Sequence, residues 1–278
     1  MADVDGGPPV ALQYLHAEEK AKRSGSFGAV ASAYQRYRPG PPETVVDWYL
    51  PRRVQKVVDL GAGTGALTRL LLDRAEQVVA VEPDDRMRTV LTGDLPHVEA
   101  LQGTGEHLPV GDSAADAVLA SSSWHWMDAE ATLREVRRVL TPHGLLGVLW
   151  SGPDPEGPFV ARARALMSRN SGLEGEAMSS FIDNAIRPTS RLDIPNGLGF
   201  RQPEHRTFAW SMALTADELI GLLATFSWVI NLPQDEREAL LTQARRLLKE
   251  FLGVEGGVTV DVDFRCDAWR AHLEGLSS

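Results

Sequence analysis

Residues Val57–Thr68 read VVDLGAGTGALT. An apolar run ends in Asp59 and Leu60, three glycines follow at alternate positions, Gly61, Gly63 and Gly65, and helix-forming residues then begin. Glycine lets the backbone turn sharply and come within contact distance of a ligand that any Cβ would push away. Twenty-one residues after Gly61, a second apolar run, Val78–Val81, ends in Glu82. A strand, a glycine turn, a helix and a second strand closing on an acidic residue form half of a nucleotide-binding sheet, in which the acid accepts hydrogen bonds from a ribose. Gly61-x-Gly63-x-x-Ala66 also satisfies the loose dinucleotide fingerprint, so the glycines alone do not separate a nicotinamide cofactor from other adenosine cofactors.

Outward from this stretch, strand and helix signals alternate from Phe27 to about Trp150, the pattern of a parallel sheet with crossover helices. Val54–Leu60 reads as the first strand, Ala66–Arg74 as a helix with Leu67, Leu70 and Leu71 on one face, and Asp84 as the cap of the next helix. Val98–Gln102 and Ala115–Ser121 supply two more strands. Asp128 caps a helix whose face is Leu133, Val136 and Leu140, and Leu145–Trp150 follows the Pro142–Gly144 turn. SGPDPEGP, Ser151–Pro158, reads as a loop. Thr207–Leu214 and Val258–Phe264 alternate strictly between apolar and polar residues, as antiparallel strands with one solvated face do. Two helices lie between them, one opening with a capping box at Thr215 and Glu218, the other running from about Pro233 to Phe251.

The organisation expected is therefore an N-terminal arm over 1–26, with a short helix at Ala11–Arg23, a Rossmann-like cofactor-binding core over 27–150, linker and cap elements over 151–199, and terminal antiparallel strands with inserted cap helices over 200–278. The fold class is α/β: a seven-stranded sheet with a terminal antiparallel pair and a small helical cap.

The chain has 278 residues, 43% hydrophobic and 24% charged, with 28 basic against 38 acidic residues and a net charge of −10. That balance is ordinary for a soluble globular protein, and its sign disfavours phosphate backbones and anionic lipid as partners. One cysteine, Cys266, permits no intrachain disulfide, and scattered histidines give no zinc spacing. MADVDGGPPV lacks the basic start and apolar run of a signal peptide, and the longest apolar run, Leu219–Leu232, falls short of a membrane span. A cytoplasmic protein without metal is expected.

At this point the chain resembles the class I S-adenosylmethionine-dependent methyltransferases, specifically the small-molecule group called type 11 or trans-aconitate-methyltransferase-like. VVDLGAGTG matches the first family motif and VVAVEPDDRM, Val78–Met87, the second-strand motif. GTGEHLPVGDSAADAVLASSSWHW, Gly103–Trp126, resembles the adenine-side loop and fourth strand, and RRVLTPHGLLGVLW, Arg137–Trp150, the fifth-strand motif. FGAVASAYQRYRPGPP, Phe27–Pro42, looks like the capping helix of the subgroup.

The resemblance implies S-adenosylmethionine as cofactor and S-adenosylhomocysteine as its product. Gly61 and Gly63 would pass under the methionine part and the ribose, Asp59 would support that turn, and Glu82 would hold the ribose diol. Met87 would pack on the adenine, and Gly105 and Glu106 would face its amino edge. Tyr34 and Arg38 would close over the cofactor, with Arg38 near its carboxylate, and Ser121 would border it at the end of the fourth strand. His125 is the candidate general base, and Trp124, Trp126 and Trp228 the candidate walls of an acceptor pocket.

The loop SSSWHW lacks the Asn/Asp-Pro-Pro-aromatic motif of amino-methylating nucleic-acid enzymes, and the resemblance implies a small-molecule acceptor; by analogy with the namesake relatives alone, oxygen, as in a carboxylate, is preferred over nitrogen. Two other classes stay open. A nicotinamide oxidoreductase would share the glycine turn and Glu82, though not the Glu106–Val110 loop or the terminal antiparallel pair. A cofactor-binding scaffold or regulator without turnover would share every cofactor motif.

Overall fold

The computed structural model describes residues 27–169, 191–253 and 257–274. The N-terminal arm, with its expected helix at Ala11–Arg23, lies outside the described residues, as does most of the weakly patterned stretch that follows Arg169.

The seven strands are β1 Val54–Leu60, β2 Ala75–Val81, β3 Glu99–Leu101, β4 Ala115–Ser121, β5 Leu140–Pro153, β6 Glu204–Thr215 and β7 Thr259–His272. They lie in one sheet in the order β3-β2-β1-β4-β5-β7-β6. The first five run parallel; β7 is antiparallel to both β5 and β6. The chain thus winds outward from β1 in both directions, and the strand order reverses between β1 and β4. In open α/β sheets that switch point, at the carboxyl ends of the strands, is where ligands bind.

Both faces of the sheet are covered, because alternate strand residues point to opposite sides. On one face Val58, Leu60, Val118, Leu146 and Val148 pack with Leu133, Val136 and Val139 of α5, Ala129–Val139. On the other, Val57, Ala117, Leu119, Leu145 and Leu149 pack with Val45, Val46 and Tyr49 of α2, Glu43–Tyr49, and with Leu67 and Leu71 of α3, Ala66–Leu71. Asp84 caps α4, Asp85–Asp94, by accepting from the N–H groups of Arg86 and Met87, and Asp128 caps α5 by accepting from that of Ala131.

Upstream, a 3₁₀ turn at Phe27–Val30 leads into α1, Ala31–Tyr37, and α6 spans Pro158–Arg169. The β6–β7 ribbon runs on past the end of β5, its pairing continuing to Thr215 opposite Thr259. It carries α7 (Ala216–Ala224), α8 (Ser227–Ile230) and α9 (Gln234–Leu252), where Leu219, Ile220, Leu222, Ala244 and Leu248 form a separate small core with Val262 and Phe264. The Thr215–Glu218 capping box is present.

Four expectations need correction. Ser151–Pro153 are not loop: they extend β5, because the projecting ribbon supplies a partner as far as Phe264 opposite Pro153, and proline is tolerated at a strand end. The Pro142–Gly144 turn lies within β5 as an irregularity in register between Ala115–Leu140 and Ala117–Leu145, with His143 at φ +68°. Strand β7 runs well past Phe264, since Cys266, Asp267 and Ala268 are consecutively buried between two neighbouring strands and show no alternation to read. Finally, the expected first cap helix is broken into α7 and α8 at Thr225 and Phe226.

Candidate active site

The glycine turn closes directly off the end of β1. The N–H groups of Gly61 and Ala62 both donate to the Val81 carbonyl, at 2.8 and 3.1 Å, which locks the turn to the end of β2. Gly61 has φ +67° and Gly63 φ +56°, a region that side-chain-bearing residues rarely adopt. A Cβ on Gly61 would stand 2.5 Å from that of Ser123, whereas one on Gly63 would meet no protein atom within 4 Å. One glycine makes room for the protein and the other leaves room for something else.

Glu82, 8% exposed, accepts from the N–H of Gly63 at 2.9 Å with one carboxylate oxygen and from that of Asp84 at 3.0 Å with the other. Burial pushes its carboxyl above the ordinary range, and the two N–H donors oppose that shift. Each oxygen keeps a lone pair for a further donor.

Asp59 is fully buried beneath the turn. Its Oδ2 accepts from the Thr68 hydroxyl at 2.5 Å, while its Oδ1 has no hydrogen-bond partner. Burial pushes its carboxyl up to about 7, with the Thr68 bond acting against the shift and the neighbouring Glu82 adding to it. A buried polar atom left unpaired costs roughly 1–3 kcal/mol, and Asp59 borders the cleft above the turn, where a ligand or water can pair with it.

Above the turn lies a cleft open to solvent. Of the residues singled out from sequence, Tyr34, Arg38, Asp59, Gly61, Gly63 and Ser121 line it together. Glu82 joins them through Gly63. Sequence reading missed the Pro39–Pro41 linker, Thr64, Ser122 and Ser151 as site residues; they line the cleft together with Ala62, Ala66 and Leu67. It missed Ser123 as well, whose hydroxyl donates to the Leu60 carbonyl at 2.7 Å and binds the loop after β4 to the end of β1.

The remaining candidates do not line the cleft. Met87 is buried on α4. Gly105 is packed against Thr132 and Met127, and Glu106 accepts from the N–H of Asp128 at 2.7 Å, bracing the start of α5. Trp124 is buried in the α5-side core, a packing role in place of a pocket wall. Trp126 stands beside His125 with ring centroids 4.7 Å apart. Trp228 lies in α8, with its side chain outside the described residues.

His125 also departs from expectation: its Nδ1 accepts from the Trp150 indole N–H at 3.1 Å. In that arrangement the neutral ring carries its proton on Nε2 and has no lone pair left to act as a general base. Among the described residues no group of three or more His, Cys, Asp or Glu is placed to hold a metal, and no helix is long and apolar enough to cross a membrane.

This architecture, a sheet of order 3-2-1-4-5-7-6 with a glycine turn joined to an acidic β2 terminus, defines an α/β protein built to hold an adenosine cofactor. Comparison with known proteins gives the class. Residues 58–148 match the model of the family described as a methyltransferase domain. The chain is 37% identical over 223 residues to an uncharacterized methyltransferase of Mycobacterium tuberculosis, covering 80% of this chain and 85% of the relative. It is 26% identical over 254 residues to an uncharacterized methyltransferase-like protein of Schizosaccharomyces pombe, covering 90% and 96%. Among solved structures, a candidate type II methyltransferase from Anaeromyxobacter dehalogenans superposes with a TM-score of 0.54 at 20% identity, covering 85% of this chain and 98% of the other.

The chain belongs to the class I S-adenosylmethionine-dependent methyltransferases. It is an enzyme of methyl transfer, with S-adenosylmethionine as cofactor. The residues present fit that group: an unpaired buried carboxylate oxygen, a glycine whose missing side chain leaves open space, and an arginine at the rim.

Proposed function

We propose that the enzyme methylates a small organic acceptor at oxygen, a carboxylate in particular. The observation that carries this reading is the lining of the cleft. Serines 121, 122 and 151 offer hydroxyl donors, while Asp59, the carboxylate beneath the turn, is buried and already bound by Thr68. His125 has its basic nitrogen occupied by Trp150. An acceptor served by such a site is nucleophilic at neutral pH without losing a proton, as a carboxylate oxygen is. The net charge of −10 favours a small acceptor over nucleic acid.

When bound, S-adenosylmethionine supplies a methyl group already activated by the positive sulfur that carries it. The protein's task is alignment, which supplies roughly 7–11 kcal/mol of barrier lowering when two reactants are held in the right geometry. In this reading Gly61 and Gly63 give the backbone close approach to the methionine part and ribose, and Glu82 accepts from the ribose hydroxyls. Asp59 presents its unpaired oxygen to the positively charged end of the cofactor, and Arg38, with Tyr34 beside it, holds the carboxylate. Ser121 borders the methyl-bearing end. Met87 backs the adenine side, with Gly105 and Glu106 toward its amino edge. Trp126 and Trp228 remain candidates for the acceptor wall. No general base is assigned.

The test is a panel of carboxylates, phenols and amines incubated with cofactor, with product followed by mass. A carboxylate acceptor gives a methyl ester that mild alkali hydrolyses back to the acid. A product stable to alkali, or turnover with amines alone, would overturn the oxygen assignment.

A further inference from the structure

Thr225 is fully buried at the C-terminal cap of α7, 187 residues from Arg38 in the chain and outside every cofactor motif. Its hydroxyl donates to the Leu222 carbonyl at 2.6 Å, which uses its only proton and leaves the oxygen as an acceptor. Nε of Arg38 donates to that oxygen at 3.1 Å. The next residue, Phe226, lies under the guanidinium with its ring centroid 4.4 Å away. Arg38 is thereby gripped by one hydrogen bond and two rings, the Tyr34 centroid lying 5.5 Å from the guanidinium carbon. Among the described residues its two terminal amino groups have no hydrogen-bond partner, and Arg38 lines the cleft.

A guanidinium with Nε tied down and both terminal amino groups open is arranged for a planar anion, because its rigid fork matches a carboxylate. Fixing the stem beforehand removes rotamer freedom that binding would otherwise have to remove. The grip is itself well founded: a Cβ on Gly221 would stand 2.5 Å from atoms of the Tyr37 ring, so α7 approaches α1 as closely as glycine allows.

We propose that Thr225 is a positioning residue for the cofactor, holding Arg38 so that its terminal amino groups meet the carboxylate of S-adenosylmethionine. The inference rests on the assignment of Arg38 to that carboxylate made above. It gives the cap a part in cofactor binding, since Thr225 belongs to the helical insertion between β6 and β7 and not to the glycine-turn core.

The experiment is calorimetric titration of the full chain with S-adenosylhomocysteine and with 5′-methylthioadenosine, which keeps the adenosine and sulfur but lacks the carboxylate. Thr225→Val is expected to weaken S-adenosylhomocysteine about tenfold and leave methylthioadenosine within about twofold, with Thr225→Ser restoring the affinity. Equal weakening of both ligands, no weakening, or failure of serine to restore binding would overturn the proposal. Arg38→Met separates the two levels. If it leaves S-adenosylhomocysteine affinity unchanged, the assignment of Arg38 fails; if it weakens binding while Thr225→Val does not, only the role of Thr225 fails. Should Thr225→Val not fold, Phe226→Leu loosens the same grip and is read by the same ligand pair.

Discussion

The N–H of Gly63 donates to Oε2 of Glu82 at 2.9 Å, joining two residues 19 apart in the chain. The glycine turn after β1 and the acidic end of β2 are therefore one structure, with the carboxylate bracing the loop. Removing that carboxylate withdraws a brace from the turn and, on the proposed assignment, an acceptor from the ribose.

The two glycines of the turn are predicted to fail differently. Gly61→Ala drives a methyl group into Ser123 on top of an unfavourable φ, so the folded protein itself is damaged. Gly63→Ala costs about 1–2 kcal/mol of backbone strain, because its Cβ meets no protein atom. It is expected to fold and to lose S-adenosylhomocysteine binding. Thermal denaturation beside calorimetry checks both; normal cofactor affinity in Gly63→Ala would show that the open space is not the cofactor's.

Asp59 makes stability depend on pH. Its carboxyl titrates near 3.8 when unperturbed and at about 7 in the folded protein. Below the lower value both states are protonated and burial costs no charge. As pH rises toward the upper value, the unfolded chain releases its proton and the folded chain keeps it, so stability from this group falls, and the loss is complete above about 7. Asp59→Asn removes the effect. Urea unfolding should show the variant gaining on the wild type by on the order of 2 kcal/mol between about pH 5 and pH 8. Parallel pH curves for the two proteins would refute the assignment.

His125→Phe removes the acceptor of the Trp150 indole. Loss of that bond is expected to destabilise the fold by about 1 kcal/mol and to leave the pH profile of turnover unchanged. Release of S-adenosylhomocysteine should slow by less than about tenfold, where loss of a general base costs roughly 10²–10⁴-fold. A larger loss, with a flattened pH profile, would restore His125 as the base.

Much of this could be read in the residues. The β1 run Val54–Leu60 and the β4 run Ala115–Ser121 are found with the expected bounds, because short apolar runs bounded by turn residues leave little alternative in a parallel sheet. The caps Asp84 and Asp128 were legible for a local reason: a side chain satisfying its own helix needs no tertiary context. Strand β7 was read only as far as Phe264 because Cys266–Ala268, buried between two strands, carry no period of two.

The site divides the same way. Asp59, Gly61, Gly63 and Ser121 sit next to a strand end and were readable from it. Ser151 was hidden in a proline-rich segment that becomes strand only because the β6–β7 ribbon pairs with it. Thr225 meets Arg38 through tertiary packing alone, which no local pattern encodes. An aromatic residue after β4 fits a core position and a pocket wall equally well in sequence, and Trp124 packs in the α5-side core.

The most direct test of the central claim, that the glycine turn and Glu82 together hold the cofactor, is calorimetric titration of wild-type and Glu82→Ala protein with S-adenosylhomocysteine, with NADH as the competing ligand. The account predicts micromolar binding of S-adenosylhomocysteine, weakened in the variant by about 10–100-fold through loss of bonds to a charged acceptor, and no binding of NADH. Unchanged affinity in Glu82→Ala, or binding of NADH alone, would contradict it.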